Sequence, residues 1–300
     1  MKVLVAEDDP ITSHLLQALL TKAGYDPVVV GNGVEVLHTL DQADGPRLMV
    51  LDWMMPHIDG VEVCRTIRKL TSRSYVYLIL LTAKDKQEEI LEGLEAGADD
   101  YITKPFDFHE LVARLRSGKR ILELQDQLLT QATHDSLTGL LNREAILEIL
   151  QRESRRALRN KTQLAVIMAD MDHFKDINDT HGHLIGDNVL RETAKSLRGC
   201  LRSYDSIGRY GGEEFLIVAP DCSENEAVHL AERLRNAVKD VAVPASECVV
   251  PITLSFGVTD TSFGQKPEEM LRAADRALYA AKNAGRNRVE TDSEIKAASR

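Results

Sequence analysis

The sequence predicts a doubly wound α/β domain with a five-stranded parallel sheet. One long helix joins it to an α+β domain with an antiparallel central sheet. Three observations carry this reading. Five short apolar runs alternate with helix-length segments over the first 118 residues. Apolar residues at 108, 111, 115, 122 and 129 then recur at near 3/4 spacing. The rest mixes strands and helices around a Gly211-Gly212 hairpin. A chain of 300 residues has room for two domains of ordinary size.

Taken in order, the first runs are Val3–Ala6, Val28–Val30, Leu48–Leu51, Val76–Leu81 and Tyr101–Thr103. Unbroken apolar strands between helices indicate a parallel sheet covered on both faces. Asp9 is placed to cap the helix that Pro10 starts, and Gly24 to end it. Asp85 and Glu88 have capping-box spacing, and Gly97 closes that helix. Ligands of such a sheet collect at the carboxyl ends of its strands. From Phe106 to about Thr130 the pattern is helical, with Gly118 and Gln125 in the missing seam positions. It suits either a short coiled coil or the apolar face of a monomeric amphipathic helix. In the second half the expected strands are Leu164–Ala169, Ser206–Tyr210, Glu214–Ala219 and Ile252–Val258. The expected helices are Glu144–Leu158, Leu184–Leu197, Ser223–Lys239 and Pro267–Asn283. Gly-Gly between two strands permits positive φ at both turn residues. The expected organisation is domain 1–118, helical and coiled-coil-like linker 119–133, domain 134–294 and tail 295–300.

The composition, 43% hydrophobic and 28% charged, is that of a folded globular chain and excludes disorder and fibre. The net charge is −10, and 1–118 alone holds 12 basic and 19 acidic residues. A general nucleic-acid partner is excluded, because such binding needs a basic footprint. No apolar run approaches the ~20 residues that span a bilayer. Charges at Glu7-Asp8-Asp9 come too early for a signal peptide. Cys64, Cys200, Cys222 and Cys248 show no paired spacing, as in reduced thiols. A cytoplasmic protein without membrane partners is expected.

Glu7 and Asp8 end the first strand and Asp52 ends the third, so three carboxylates converge. They repel unless a cation joins them, and oxygen-only ligands select Mg²⁺. Thr82 and Lys104 bring a hydroxyl and an ammonium to the same edge. This set suits a phosphoryl group, with an Asp able to act as nucleophile. In combination, Ala6-Glu7-Asp8-Asp9-Pro10, Leu51-Asp52-Trp53-Met54-Met55-Pro56, Leu81-Thr82-Ala83 and Asp99-Asp100-Tyr101-Ile102-Thr103-Lys104-Pro105-Phe106 resemble the receiver domain of response regulators, with its flavodoxin-like fold. The resemblance implies that Asp52 accepts a phosphoryl group from a sensor histidine kinase. It implies that Asp8, Asp52 and the Met54 carbonyl bind Mg²⁺, with Glu7 acting through water. Lys104 and Thr82 would contact the phosphoryl group, Tyr101 would be the aromatic switch, and the Lys104-Pro105 bond would be cis.

In the second half, Asp170 ends a strand and Glu213-Glu214 follow the glycine turn, so Asp170 and Glu213 are expected to meet. Paired carboxylates suit Mg²⁺ and, through it, nucleotide phosphates. Lys282 and Arg286, four apart, are further phosphate donors. Asn178 and Asp187 form a polar pair suited to the N–H groups of guanine. His181-Gly182-His183 has no soft-ligand cluster beside it and is not read as a metal site. Asp135-Ser136-Leu137-Thr138-Gly139-Leu140-Leu141-Asn142-Arg143, Asp170-Met171-Asp172-His173-Phe174-Lys175, Gly182-His183 with Gly186-Asp187, Arg209-Tyr210-Gly211-Gly212-Glu213-Glu214-Phe215 and Lys282 with Gly285-Arg286-Asn287 together resemble the GGDEF family of diguanylate cyclases, in its GGEEF form.

That resemblance implies a nucleotidyl-cyclase-like fold that condenses two GTP into cyclic di-GMP and two pyrophosphates across a homodimer. Asp170, the Met171 carbonyl and Glu213 would hold one or two Mg²⁺. Glu213 would be the general base with Glu214 beside it. Asn178 and Asp187 would contact guanine, and Lys175, Lys282 and Arg286 the phosphates. Arg202 and Asp205, in an RxxD tetrad, resemble the family's inhibitory product site, with Arg233 as a second ligand. The alternative is a silent module that binds GTP or cyclic di-GMP without turnover. A DNA-binding output is disfavoured by the lack of a basic recognition helix.

Overall fold

The computed structural model describes residues 1–293 apart from 43, 71–73, 84–86, 246–247 and 264–265. The expected cap at Asp85 and the tail 295–300 lie outside the described residues. The chain folds as two compact units, Met1–Leu128 and Leu129–Arg300.

In the first unit β1 (Lys2–Ala6), α1 (Pro10–Lys22), β2 (Asp26–Val30), α2 (Gly33–Leu40), β3 (Leu48–Asp52), α3 (Gly60–Lys69), β4 (Tyr77–Thr82), α4 (Gln87–Glu95) and β5 (Asp100–Thr103) alternate, and α5 (Phe108–Thr133) follows. The strands are parallel in the order β2-β1-β3-β4-β5. Side chains alternate between two cores. Leu4, Ala6, Met49 and Leu51 pack on one face, and Val3, Val5, Leu48 and Val50 on the other. A sheet buried on both sides is what makes these strands read as unbroken apolar runs. Asp9 caps α1 by accepting from the Thr12 N–H at 2.9 Å, with Pro10 opening the helix. Asn32 and Asp59 cap α2 and α3 in the same way. Such caps contribute about 1 kcal/mol each.

The long helix spends the first part of its apolar seam within the unit. Leu111, Leu115, Gly118 and Leu122 are buried, and they pack on Leu48, Val50 and Tyr77 of the unit's own sheet. A Cβ on Gly118 would lie 2.5 Å from the Tyr77 ring. One turn beyond Leu122, Arg47 donates to Asp126 at 2.8 Å. A 3/4 repeat describes burial against a sheet as well as against a second helix. Here the sheet takes the seam through Leu122. Leu124, Leu128 and Leu129 are exposed.

The second unit contains α6 (Arg143–Asn160), β6 (Leu164–Met171), α7 (Phe174–His181), α8 (His183–Gly199), β7 (Ser206–Arg209), β8 (Glu214–Pro220), α9 (Glu224–Lys239), β9 (Val243–Ala245), β10 (Cys248–Val250), β11 (Leu254–Asp260), α10 (Pro267–Asn283) and β12 (Val289–Thr291). Its main sheet has the order β12-β11-β6-β8-β7. Pairings are antiparallel except β11 with β12, which is parallel, so the sheet is mixed. The sequence pattern missed α7, β12 and the β9–β10 hairpin. Each is too short to establish a period. The Gly-Gly turn also differs from expectation. Tyr210–Glu213 form a four-residue connection, and neither Gly211 nor Gly212 takes positive φ. A wider loop needs no left-handed residue. Gly211 instead leaves Glu214 its place, because a Cβ there would lie 2.3 Å from Glu214 Oε2 and the carboxylate would have to move.

β6 is central and buried along its whole length, with Ala165, Ile167 and Ala169 in one core and Leu164, Val166 and Met168 in the other. α10 crosses β11 at Gly257, where a Cβ would lie 2.1 Å from the Ala274 carbonyl oxygen and 2.2 Å from the Leu278 nitrogen. Among the described residues, no helix is long and apolar enough to cross a membrane.

The Gly257 crossing yields a direct test. Backbone atoms cannot yield as a side chain would, so Gly257→Ala should destabilise the second unit by about 3 kcal/mol. The readout is the unfolding transition of that unit in denaturant. Gly212→Ala, where nothing lies within 4 Å, should leave the transition unmoved.

Candidate functional site

At the carboxyl edge of the first sheet, Glu7, Asp8 and Asp52 place carboxylate oxygens within 4.8 Å of one another. Among the described residues this is the one group of three or more potential metal ligands so placed. Glu7 and Asp52 are buried and Asp8 is exposed. Lys104 Nζ bridges the buried pair, 2.7 Å from Glu7 Oε2 and 2.8 Å from Asp52 Oδ2. Burial pushes the Glu7 carboxyl up against the pull of Lys104, and Asp52 pushes it further. Burial pulls the Lys104 ammonium down, but its bonds to Asp52 and Glu7 outweigh that and leave it raised. Thr82 is fully buried at the end of β4, and its carbonyl accepts from the Lys104 N–H at 2.6 Å. Tyr101 lies on β5, half-buried against the core. Met54 is exposed in the loop after β3. The Lys104-Pro105 peptide is cis. Three oxygen donors around one point fit Mg²⁺, whose preferred ligands are carboxylates and carbonyls.

In the second unit Asp170, near the end of β6, is opposed across the sheet by Glu214, not by Glu213. Glu213 stands one step further, its carbonyl accepting from the Met171 N–H at 3.2 Å. Lys282 Nζ lies 2.8 Å from Asp170 Oδ2. Burial raises the Asp170 carboxyl, and Lys282 acts against that. Glu214 is likewise raised, first by burial and then by Asp170. Two carboxylates disfavoured as anions by burial, one of them also by the other, suit a divalent cation, so the donor set fits Mg²⁺. Arg286 is exposed just beyond α10, and Lys175 is exposed on α7.

Asn178 on α7 packs against Gly186 on α8, the residue before Asp187. A Cβ there would lie 1.9 Å from Asn178 Oδ1, so only glycine leaves that amide its place. Arg202 and Asp205 line an open cavity of about 390 Å³ together with His134, Arg198 and Ser203. The Arg202 N–H donates to Asp205 Oδ2 at 2.9 Å. Arg233 is exposed on α9 and donates to the Cys200 carbonyl at 2.8 Å; it does not line the cavity.

Two features escaped the sequence reading. Asp135 accepts from the Thr138 N–H and hydroxyl at 2.9 and 2.7 Å and from Arg209 at 3.2 Å. Arg209 in turn donates to the Gly212 carbonyl at 2.7 Å, tying the opening motif to the glycine loop. Arg143 lies 4.7 Å over the Tyr210 ring on the same loop. Asp172 is the other, buried among partners far away in the chain. The motifs marked these residues, but no spacing joins Asp135 to Arg209.

Residues 132–288 match the family model for the GGDEF domain of diguanylate cyclases, and residues 3–116 match that of the response regulator receiver domain. The chain is 33% identical over 258 residues to the response regulator PleD of Caulobacter vibrioides, covering 82% of this chain and 57% of PleD. It is 44% identical over 241 residues to the diguanylate cyclase DosC of Escherichia coli K12, covering 79% of this chain and 46% of DosC. The chain thus spans about half the length of these curated relatives. The solved coiled coil and GGDEF domain of DgcB from Caulobacter crescentus, in complex with c-di-GMP, is similar with a TM-score of 0.56 at 31% identity, over 61% of this chain and 97% of that one. Diguanylate cyclase SiaD of Pseudomonas aeruginosa, solved with its activator SiaC, is similar with a TM-score of 0.52 at 36% identity, over 61% of this chain and 74% of that one.

Lys104 is the cation that the buried acids of the first unit share. In metal-free buffer Lys104→Met leaves Glu7 and Asp52 without it. Burial already holds the Glu7 carboxyl up, and loss of the ammonium lets it rise further above its unfolded value, so the folded form binds more protons and stability falls as pH rises. The variant should be less stable than wild type by about 2 kcal/mol at pH 7, since Lys104 is a quarter exposed. The difference should shrink toward pH 5, as read from denaturant midpoints. A gap that stays constant with pH contradicts the assignment.

Proposed function

The chain belongs to the GGDEF family of diguanylate cyclases and carries a response-regulator receiver domain, and from that premise we propose that it is a phosphorylation-controlled diguanylate cyclase. The observation that supports it most is the meeting of Asp170, Glu214 and Lys282 where the buried β6 ends, beside the glycine loop. Asp170, the Met171 carbonyl and Glu213 are the residues that would hold Mg²⁺. Once bound, the ion supplies charge neutralisation to the phosphates.

The chain's own groups do the positioning. Lys175, Lys282 and Arg286 bind the triphosphate, and Asn178 and Asp187 accept and donate to guanine. Glu213 takes the proton of a ribose 3′-hydroxyl, with Glu214 beside it. The hydroxyl oxygen attacks the α-phosphate of the GTP in the second subunit, and the bond to pyrophosphate breaks. Repeating the step in the opposite sense closes cyclic di-GMP and releases the second pyrophosphate. One domain holds one GTP, so the reaction needs a homodimer, and most of the acceleration comes from orientation and charge.

In the receiver, the Asp52 carboxylate takes the phosphoryl group from the phosphohistidine of a sensor kinase. Lys104 and Thr82 bind the phosphoryl oxygens and Tyr101 turns with Thr82. The altered receiver changes how two cyclase domains meet. Arg202 and Asp205, with Arg233, bind the product and slow the enzyme.

Purified protein given GTP and Mg²⁺ should form cyclic di-GMP, and more of it with a beryllofluoride mimic of phospho-Asp52. Glu213→Gln should lower the rate by about 100-fold or more. GTP binding without product would support the silent-module alternative instead. Product indifferent to beryllofluoride would remove the receiver from control. Arg202→Ala should raise turnover late in the progress curve and leave the initial rate unchanged. Superimposable curves would refute product inhibition at that cavity.

A further inference from the structure

Asp170 and Asp172 stand two residues apart where β6 ends, and they hold opposite ends of one segment. Lys282 Nζ lies 2.8 Å from Asp170. Five residues on, the Asn287 N–H donates to Asp172 Oδ2 at 3.0 Å. Between these two points the chain leaves α10 through Gly285, Arg286 and Asn287, with φ of 107°, 59° and 48°. Left-handed backbone at the two non-glycine residues is costly and persists only where the surroundings hold it.

The surroundings are specific. Asp172 is 5% exposed. Its carboxylate also accepts from Thr253 Oγ1 at 2.8 Å and Ser255 Oγ at 2.7 Å, and its N–H donates to the Thr253 carbonyl at 2.9 Å. The buried charge thus pins the start of β11 and the turn after α10 to the end of β6. From α9, Arg235 donates to Asn287 Oδ1 at 3.0 Å and is itself held by Glu232 at 2.8 Å. The Arg286 N–H closes the turn by donating to the Ala281 carbonyl at 3.0 Å, and the Phe256 N–H donates to the Arg288 carbonyl at 2.8 Å. Arg286 itself is exposed, and its charge is felt at Asp170.

We propose that Asp172 is a positioning residue of the nucleotide site, which fixes Asn287 and so presents the Arg286 guanidinium to the phosphates already ordered. Arg235 holds the same turn from the other side. Binding then incurs little ordering of the turn, which is the general gain from preorganisation. The inference rests on the GTP reading above. It makes a distinction that charge alone does not. Thr253 and Ser255 hydroxyls can each donate or accept, so an Asn at 172 can still accept from the Asn287 N–H. A purely electrostatic action of Asp172 on Asp170 would vanish in the same variant.

The test is a cycle in Mg·GTP affinity, read by calorimetry on the full chain. Asp172→Ala should weaken binding about 10-fold, and Asp172→Asn should keep it within about 3-fold of wild type. In an Arg286→Ala background, Asp172→Ala should cost less than about 2-fold more, because the group it positions is gone. Arg235→Ala, on the more exposed side of the turn, should weaken binding about 3-fold and remains informative if Asp172→Ala fails to fold. Additive losses in the cycle, or Asn behaving as Ala, overturn the proposal even in an active enzyme. A wild type that binds Mg·GTP without making product refutes the cyclase reading alone, and the affinity cycle still decides this one. A wild type that binds no Mg·GTP overturns both.

Discussion

A carboxylate at the end of a buried strand keeps its charge only while a cation or a set of hydrogen-bond donors stays against it. Both units are organised by that constraint. In the first, Lys104 reaches Asp52 at 2.8 Å, and in the second Lys282 reaches Asp170 at 2.8 Å. Neither lysine is near its partner in sequence, so each pair forms only when the sheet and the element after it have docked. Breaking such a pair is costlier than never having made it, because the remaining charge is stranded. The acidic sites are therefore coupled to the packing of β5 and its following loop in one unit and of α10 in the other. A site of this kind is also prepared for exchange. A lysine that neutralises an acid can give way to a metal ion and turn to a phosphate without leaving an unpaired charge.

The chemistry-bearing residues were legible in the sequence because they sit at strand ends, where apolar runs stop abruptly at a carboxylate. Val3 to Ala6 followed by Glu7 and Leu48 to Leu51 followed by Asp52 show this directly. The parallel sheet was legible for the related reason that burial on both faces removes polar residues from the run. What was not legible follows from the same physics. α7, β12 and the β9–β10 hairpin are short, and a period needs several residues to declare itself. The direct opposition of Asp170 by Glu214 depends on the register of β6 against β8, two strands far apart in the chain, and no local pattern states that register. The glycines were recognised as a turn, but a Cβ on Gly211 would meet Glu214 Oε2, which no local pattern reveals.

The long helix shows where periodicity reaches its limit. Spacing states that one face is apolar and leaves open what covers it. Gly118 was legible as a gap in the seam, and it is a gap because the Tyr77 ring fills it. Through Leu122 the helix therefore belongs to the first unit's core, and Arg47 extends the hold to Asp126. The exposed Ile121, Leu124, Leu128 and Leu129 are left for any other surface.

Positioning residues were the least legible class, and the reason is general. A catalytic acid is recognised by its own type at a strand end, whereas a positioning acid is defined by its partners. Asp135 reaches the glycine loop only through Arg209 and the Gly212 carbonyl, and Asp172 acts through Thr253, Ser255 and Asn287. These partners lie between about 70 and 115 residues away in the chain. Because β6 lies between β8 and β11, its last residues can be held from both sides at once. The glycine loop is held through the Met171 N–H on the Glu213 carbonyl and the Asn287 turn through the Asp172 carboxylate. The central strand thus fixes the geometry of two loops that never pair with each other. A change in either loop's anchor should leave the fold largely intact while loosening the site, which is how positioning is distinguished from packing.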